Sequence, residues 1–405
     1  MHRGWKAKLQ QITSENGLYS YELALFELQE ASVANYKEFD ETIDYVAKKR
    51  KLIALIDEEI ACHELSKKII MLSRNLDYAR TKEERAFYEE TFSGELMDGS
   101  KAVRGVQAAC SLLHARMHFY NMMQNKTEIK KLYREFVSFW GNNEKLWAQD
   151  PMFYVAMSYN LIVNLIAFVA DDDRGMLKKH WQELPEKLRP YLTPFLAMRI
   201  RFYDSEHKLR VMAQEGEVEK MLDILPEIQV LKQTDHQHTK TFSESIRYYE
   251  AMVMYCSGKL KEALKHLLDD LSDDDVTYRR YRVVLRSMIL QLIIHTDLGN
   301  MEVTERLGAQ LARFMKKNKS SHYTEGSLPD FFHALITASG RAKTKLFTDL
   351  YNALLHQIHN SGDWQFFTNQ HIFMAWLKKN SAGLNWSLAL KHTWEEGRAL
   401  FLLNP

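Results

Sequence analysis

The sequence predicts an all-α fold of stacked antiparallel helix pairs, and three observations predict it. Strand signals are weak throughout: no period-two run is bounded by hairpin turns, and the single Asn-Gly, Asn16-Gly17, sits between helical patterns. Only seven prolines occur, none before Pro151, in a chain rich in Leu, Lys, Glu, Ala and Met, residues that cost little in a helix. Beyond residue 100, helical patterns of about 15–20 residues alternate with short polar breaks, a spacing that sets neighbouring helices antiparallel.

The first element is a helix over Leu18–Ala34, and the second runs over Tyr36–Ala79. In the second, Phe39, Ile43, Val46, Ile53 and Ile60 step by four and three if Arg50 and Asp57 occupy seam positions; Leu65, Ile69, Leu72 and Leu76 continue the stripe in a shifted register. Neither Gly nor Pro interrupts the chain between Leu18 and Ser93, so a single long helix forming a hairpin with its predecessor is expected over about residues 36–79. Two shorter helices parted near Ile60–Leu65 are the alternative. Phe92–Ser100, with Gly94 and Gly99, marks a division into residues 1–100 and a repeat region over 101–405, the two forming one continuous array.

Breaks then fall near Asn125, Gly141, Asp171–Gly175, Gly216, Gly258, Ser272–Asp275, Gly299 and Lys317–Ser327. Three share a pattern. Gly216, Gly258 and Gly299 are 42 and 41 residues apart, and each is followed two residues later by Val218, Leu260 or Met301. A glycine there ends one helix in a left-handed conformation at low cost and lets the chain reverse. The last segment, about 327–405, carries Trp364, Phe366, Phe367, Phe373, Trp376, Trp386, Trp394 and Phe401 at mostly helical spacing. It reads as a buried terminal cap rather than an aromatic groove.

In the middle copy Ala251, Met254, Gly258, Leu260, Ala263 and Leu267 stand at the intervals of a tetratricopeptide-type helix pair, which the segment resembles. Leu209 and Leu292, then Met221 and Thr304, replace the small residues in the other copies, and no proline closes the unit. Tyr281–Lys317, with its Ile293-Ile294-His295 and Leu298-Gly299-Asn300 blocks, is also similar to an uncharacterised family of bacterial TPR-like proteins, most closely over Phe242–Lys319. That resemblance implies a cytoplasmic, bacterial α-α superhelix and supplies no catalytic residues.

Composition excludes several functions. With 46% hydrophobic residues, 26% charged and a formal net charge of +1, the chain is an ordinary folded protein without a field that draws nucleic acid. Cys62, Cys110 and Cys256 are odd in number and far apart, which fits a reducing compartment. The N-terminus lacks the apolar core of a signal peptide, and the apolar run Met152–Ala170 is interrupted by Ser158, Asn160 and Asn164. A cytoplasmic protein without a membrane span is expected.

Chemistry-bearing motifs are sparse. No phosphate-binding glycine loop, His-Glu-x-x-His pair or Gly-x-Ser-x-Gly elbow occurs. Cys110, His114 and His118 fall on one helical face and form a weak candidate metal set; a packing face beside Leu113 and Met117 is the favoured reading. His236 with His238, and His356 with His359, read as loop and helix surface. Asp269–Asp275 lacks calcium-loop spacing and reads as acidic residues around a helix start, as does Asp171–Asp173. Arg313, Lys316, Lys317 and Lys319 suit a helix C-terminus.

The densest basic-aromatic cluster is Arg279, Arg280, Arg282 and Arg286 with Tyr278 and Tyr281. Together with Arg247, Tyr248 and Asn164 on the first helices of successive pairs, it is the candidate contact surface for an acidic peptide or protein. The expectation is therefore a scaffold rather than an enzyme, with no cofactor and a protein or peptide as partner. The alternative is a ligand- or peptide-sensing regulator linked to signalling or transcription, although nothing in residues 1–100 reads as a DNA-binding helix pair. The long N-terminal hairpin could pair two copies or pack on its own repeats.

Overall fold

A computed structural model of the chain describes residues 8–403 except 10, 14–16, 34–38, 76–77, 80, 95, 98–101, 166–170, 235–239, 269–280, 318–325 and 362–363. Among these residues the chain is all-helical, with nineteen α-helices, one 3₁₀ turn and no strand. None of those helices is long and apolar enough to cross a membrane. The chain divides into two compact units, Met1–Met157 and Ser158–Pro405.

The first unit holds α1 (Tyr19–Val33), α2 (Phe39–Asn75), α3 (Lys82–Phe92), α4 (Val106–Met122), α5 (Lys126–Asn142), α6 (Glu144–Gln149) and the start of α7 (Pro151–Leu165). The sequence division near residue 100 falls inside this unit because α4 packs on α2. Cys62 meets Ala108 and Leu112, and Ile69 shares a cluster with Ala115, Phe119 and Met122. Ala108 and Ala115 let the helices approach closely. A carboxylate fixes the start of α4, whose N-cap Gly105 has no side chain to offer. Glu58 on α2 accepts the backbone N–H groups of Arg104 at 2.7 Å and Gly105 at 2.9 Å. Burial raises the Glu58 carboxyl, but these donors and the Arg104 guanidinium outweigh it and hold it below its ordinary value.

Helix α2 is continuous through Ile60–Leu65 and, at 37 residues, extends about 55 Å. From Leu65 onward the buried face follows the expected shifted stripe, with Leu65 and Leu72 packed beside Ile69, but before it the face differs from the expected seam. Leu52, Leu55, Cys62, Ser66 and Ile69 are buried, whereas Val46, Ile53 and Ile60 are exposed. The helix carries two apolar stripes, and the one with the small Cys62 and Ser66 takes α4.

The second unit takes the remainder of α7, then α8 (Asp171–Lys187), α9 (Pro194–Glu215), α10 (Val218–Thr234), α11 (Lys240–Cys256), α12 (Leu260–Leu268), α13 (Tyr281–Asp297), α14 (Met301–Lys317), α15 (Leu328–Thr337), α16 (Gly340–Ser361), α17 (Trp364–Asn369), α18 (His371–Ala382) and α19 (Trp386–Leu403). The three repeat glycines sit at chain reversals, with φ of 74°, 83° and 75° at Gly216, Gly258 and Gly299. After each, the next N–H reaches back five residues: Glu217 to Met212 at 2.8 Å, Lys259 to Met254 at 2.9 Å and Asn300 to His295 at 3.0 Å. Burial repeats with them. Leu209, Ala251 and Leu292, seven residues before each glycine, and Met221, Ala263 and Thr304, five after, are all fully buried. The large residues that replace Ala in two copies thus occupy the same inward positions.

Each of these helix pairs packs on the next, α9–α10 on α11 and α11–α12 on α13. The chain end also returns: α18 lies against α13, and α19 against α9. An open pile of repeats touches only its neighbours, so this return is a feature that periodicity does not announce. Its anchor is Asp297, which accepts from Tyr255 Oη at 2.7 Å and Trp376 Nε1 at 2.9 Å. The terminal aromatics are core. Phe331, Phe332, Phe347 and Phe373 surround Trp376, and Phe367 stacks on Trp394. Trp386 is half-buried against Tyr255, and the side chains of Trp364 and Phe401 lie outside the described residues.

Gly216 carries a second constraint, since a Cβ there would stand 2.1 Å from the Ser387 carbonyl oxygen at the start of α19, while one at Gly258 would meet nothing within 4 Å. Gly258→Ala is expected to cost about 1 kcal/mol for its left-handed backbone. Gly216→Ala should cost roughly 3 kcal/mol, adding a clash that backbone cannot easily yield to. Urea unfolding of the two variants checks the difference; equal losses would mean that α19 does not close on α9.

Candidate binding cleft

A cleft of about 540 Å³, counting the solvent in its mouth, opens in the second unit between α9, α11, α13 and residues 368–372. Tyr248 and Tyr249 are adjacent on α11, and both are buried. They carry two arginines from neighbouring helices. The Arg286 guanidinium lies 5.0 Å over the Tyr248 ring, and that of Arg210 lies 5.9 Å over Tyr249. Gln214 continues the α9 wall, Met252 supplies apolar surface, and Thr368, Asn369 and Ile372 close the opposite side.

The two arginines differ in their partners. Arg210 donates to Glu206 at 2.9 Å, one turn back on α9, and Tyr249 Oη donates to the same carboxylate oxygen at 2.6 Å. Burial would raise the Glu206 carboxyl, yet the Arg210 charge and the donated bonds outweigh it and keep the group below its ordinary value. Burial pushes the Tyr249 phenol up, so it remains a donor. Arg210 is therefore neutralised in place. Arg286 has no ion pair or hydrogen bond among the described residues, and its Nε is buried without an acceptor. Among the described residues the cleft thus holds one uncompensated positive charge, oriented by an aromatic face.

His371 sits on the opposite wall and donates from Nε2 to the Leu390 carbonyl at 2.9 Å. Burial lowers its pKa to about 4, so the ring is neutral and adds no charge at pH 7.

Of the sequence candidates, the structure brings Tyr248 and Arg286 together. Arg247 does not line the cleft, Arg279 lies outside the described residues, and the side chains of Arg282 and Asn164 also lie outside them. Arg210, Gln214 and residues 368–372 were not signalled. Arg210 with Glu206 reads as an ordinary surface i,i+4 pair, and the 368–372 wall exists only because the chain end returns.

The metal candidates do not converge. His114 and His118 meet with Nε2 atoms 3.1 Å apart, and Ser66 Oγ lies 3.2 Å from His114 Nδ1. Burial, aided by the Asp150 charge, raises the Cys110 thiol to about 12. No group of three or more possible ligands comes together among the described residues. His356 and His359 are exposed, as are Arg313, Lys316 and Lys317 at the end of α14; His236, His238, Lys319 and Asp269–Asp275 lie outside the described residues. The side chains of Asp171–Asp173 lie outside the described residues, and the expected break at Asp171–Gly175 falls within α8, which is helical through Gly175.

No protein-family model matches the chain, and comparison with curated proteins and with solved structures finds no significant match.

The His371 shift has a defined consequence. The folded state resists a proton that the unfolded chain binds below about pH 6.5, so the stability is whole above that value and is lost as the pH falls toward 4. At pH 5 the loss is on the order of 2 kcal/mol. His180, also lowered to about 4 by burial, adds to the same window. His371→Gln keeps a donor for Leu390 and is expected to lose correspondingly less between pH 7 and pH 5 in urea unfolding. An identical pH slope in the variant would mean that the ring titrates normally.

Proposed function

We propose that the chain is a non-catalytic scaffold that binds a protein or peptide, built as a TPR-like superhelix and working in the bacterial cytoplasm. One observation carries the reading: Arg286 is held 5.0 Å over Tyr248, uncompensated among the described residues, at the wall of a cleft. The ring face steadies the cation while the in-plane N–H donors stay available. A carboxylate of the partner, on an acidic side chain or a chain terminus, matches those donors, and the polar groups of Gln214, Thr368 and Asn369 suit the amides beside it. Nucleic acid fits less well, since a single uncompensated arginine does not track a phosphate backbone.

A second reading, a ligand- or peptide-sensing regulator, draws on the same geometry. The walls come from residues 210–214 and 368–372, so an occupant touching both would change how firmly the chain end is held.

Arg286→Gln is expected to weaken binding of a labelled acidic peptide by about 10–100-fold, the worth of one charge-assisted contact. Arg286→Lys should restore little, because an ammonium lacks the planar fork. Fluorescence anisotropy at low and high salt measures both variants. Equal affinity for wild type and Arg286→Gln would remove the cleft from the binding role; tighter binding of small dicarboxylates than of peptides would favour the sensor.

A further inference from the structure

We propose that two copies of this chain pair antiparallel through the exposed stripe of α2, about a twofold axis at Ile53. Positions 46, 50, 53, 57, 60, 64, 67 and 71 step by four and three along the helix, and every one is exposed. That stepping lays them in one nearly straight row. The row includes Val46 at 45%, Ile53 at 41%, Ile60 at 50% and Met71 at 61% of full exposure. Scattered surface apolar residues need no explanation, but three β-branched residues at seven-residue intervals on one helix face do. The opposite stripe already buries Leu52, Leu55, Cys62 and Ile69, so α4 cannot cover this one.

The charges flanking the row name the occupant. Before Ile53 the row carries the exposed Arg50, with Lys49 half-buried beside it, 3.3 Å from Glu27. After it the row carries the exposed Asp57 and Glu64. The pattern is antisymmetric about Ile53. A parallel copy would set basic on basic and acidic on acidic. An antiparallel copy sets Lys49 and Arg50 beside Asp57 of the partner subunit, Val46 near Ile60 of the partner subunit, and Ile53 on its own equivalent. From Val46 to Ile60 is about 21 Å of helix, well within α2. A self-complementary patch is what a twofold contact requires, and no unrelated partner is needed to explain its charge order.

Sedimentation of the full 47.6 kDa chain should give twice that mass. Ile53→Glu, which places two carboxylates at the axis, should weaken the pair at least about 100-fold without changing the helical circular dichroism, because the site is exposed. The native cysteines Cys62, Cys110 and Cys256 are buried, so an introduced thiol can be read alone. Ile53→Cys is expected to give a disulfide-linked dimer under mild oxidation, and Met71→Cys is not, since the antiparallel register separates the two copies of residue 71. A wild-type monomer at about 100 µM, a dimer unaffected by Ile53→Glu, or efficient linking through Met71→Cys would each overturn the proposal.

Discussion

The carboxylate of Asp297 is the fixed point of the second unit. It accepts from Tyr255 near the end of α11 and Trp376 in the middle of α18, residues 42 and 79 positions away in the chain. Both rings are fully buried, and each carries one polar atom that would cost about 1–3 kcal/mol if left unpaired. Burial and the neighbouring Asp297 charge push the Tyr255 phenol up, so it stays protonated and donates. An acidic residue in the last turn of a helix opposes the helix dipole. Two donated bonds offset that, and the result is a meeting of α11, α13 and α18 that loose hydrophobic contact would not make specific.

The cleft inherits its shape from that meeting. With α18 held over α13, the residues just before and at its start, Thr368 to Ile372, face α9 and α11. The electrostatics then follow from which arginine finds a carboxylate. Glu206 lies one turn from Arg210 on the same helix and within reach of Tyr249, so that charge is spent internally. Arg286 comes from α13 and meets a tyrosine face instead. A ring stabilises a cation without cancelling it, which is the difference between a structural arginine and one left to bind.

Much of the fold is legible in the sequence because its signals are local. Gly216, Gly258 and Gly299 mark reversals through a backbone conformation that favours glycine, and the residues seven before and five after each are inward for the same geometric reason. The long α2 is legible from the lack of any breaker. Its buried side is legible only from Leu65 onward, where the shifted stripe with Ile69 packs on α4. Two stripes compete, and the β-branched one reads as the seam, yet the helix that covers α2 arrives from residues 106–122 and selects the stripe whose small Cys62 and Ser66 admit it. Half of the cleft is legible in the same limited sense: Tyr248 and Arg286 lie on the first helices of successive pairs, at positions that periodicity points inward. Arg210 and His371 are invisible, because their placement depends on contacts between segments far apart in the chain.

Near-neutral charge over the whole chain is compatible with strong local selectivity, and α2 and the cleft show how. Screening removes interactions beyond about 10 Å at moderate salt, so a total of +1 says little about any one surface. Along the exposed row of α2, Arg50 and Asp57 lie about 10 Å apart, far enough to act separately on whatever approaches. In the cleft, the Arg210–Glu206 pair cancels within one helical turn and leaves Arg286 as the effective charge. Neutrality excludes long-range attraction to a polyanion. It leaves open recognition at contact distance, where the order of charges along a helix or the isolation of one guanidinium decides the partner.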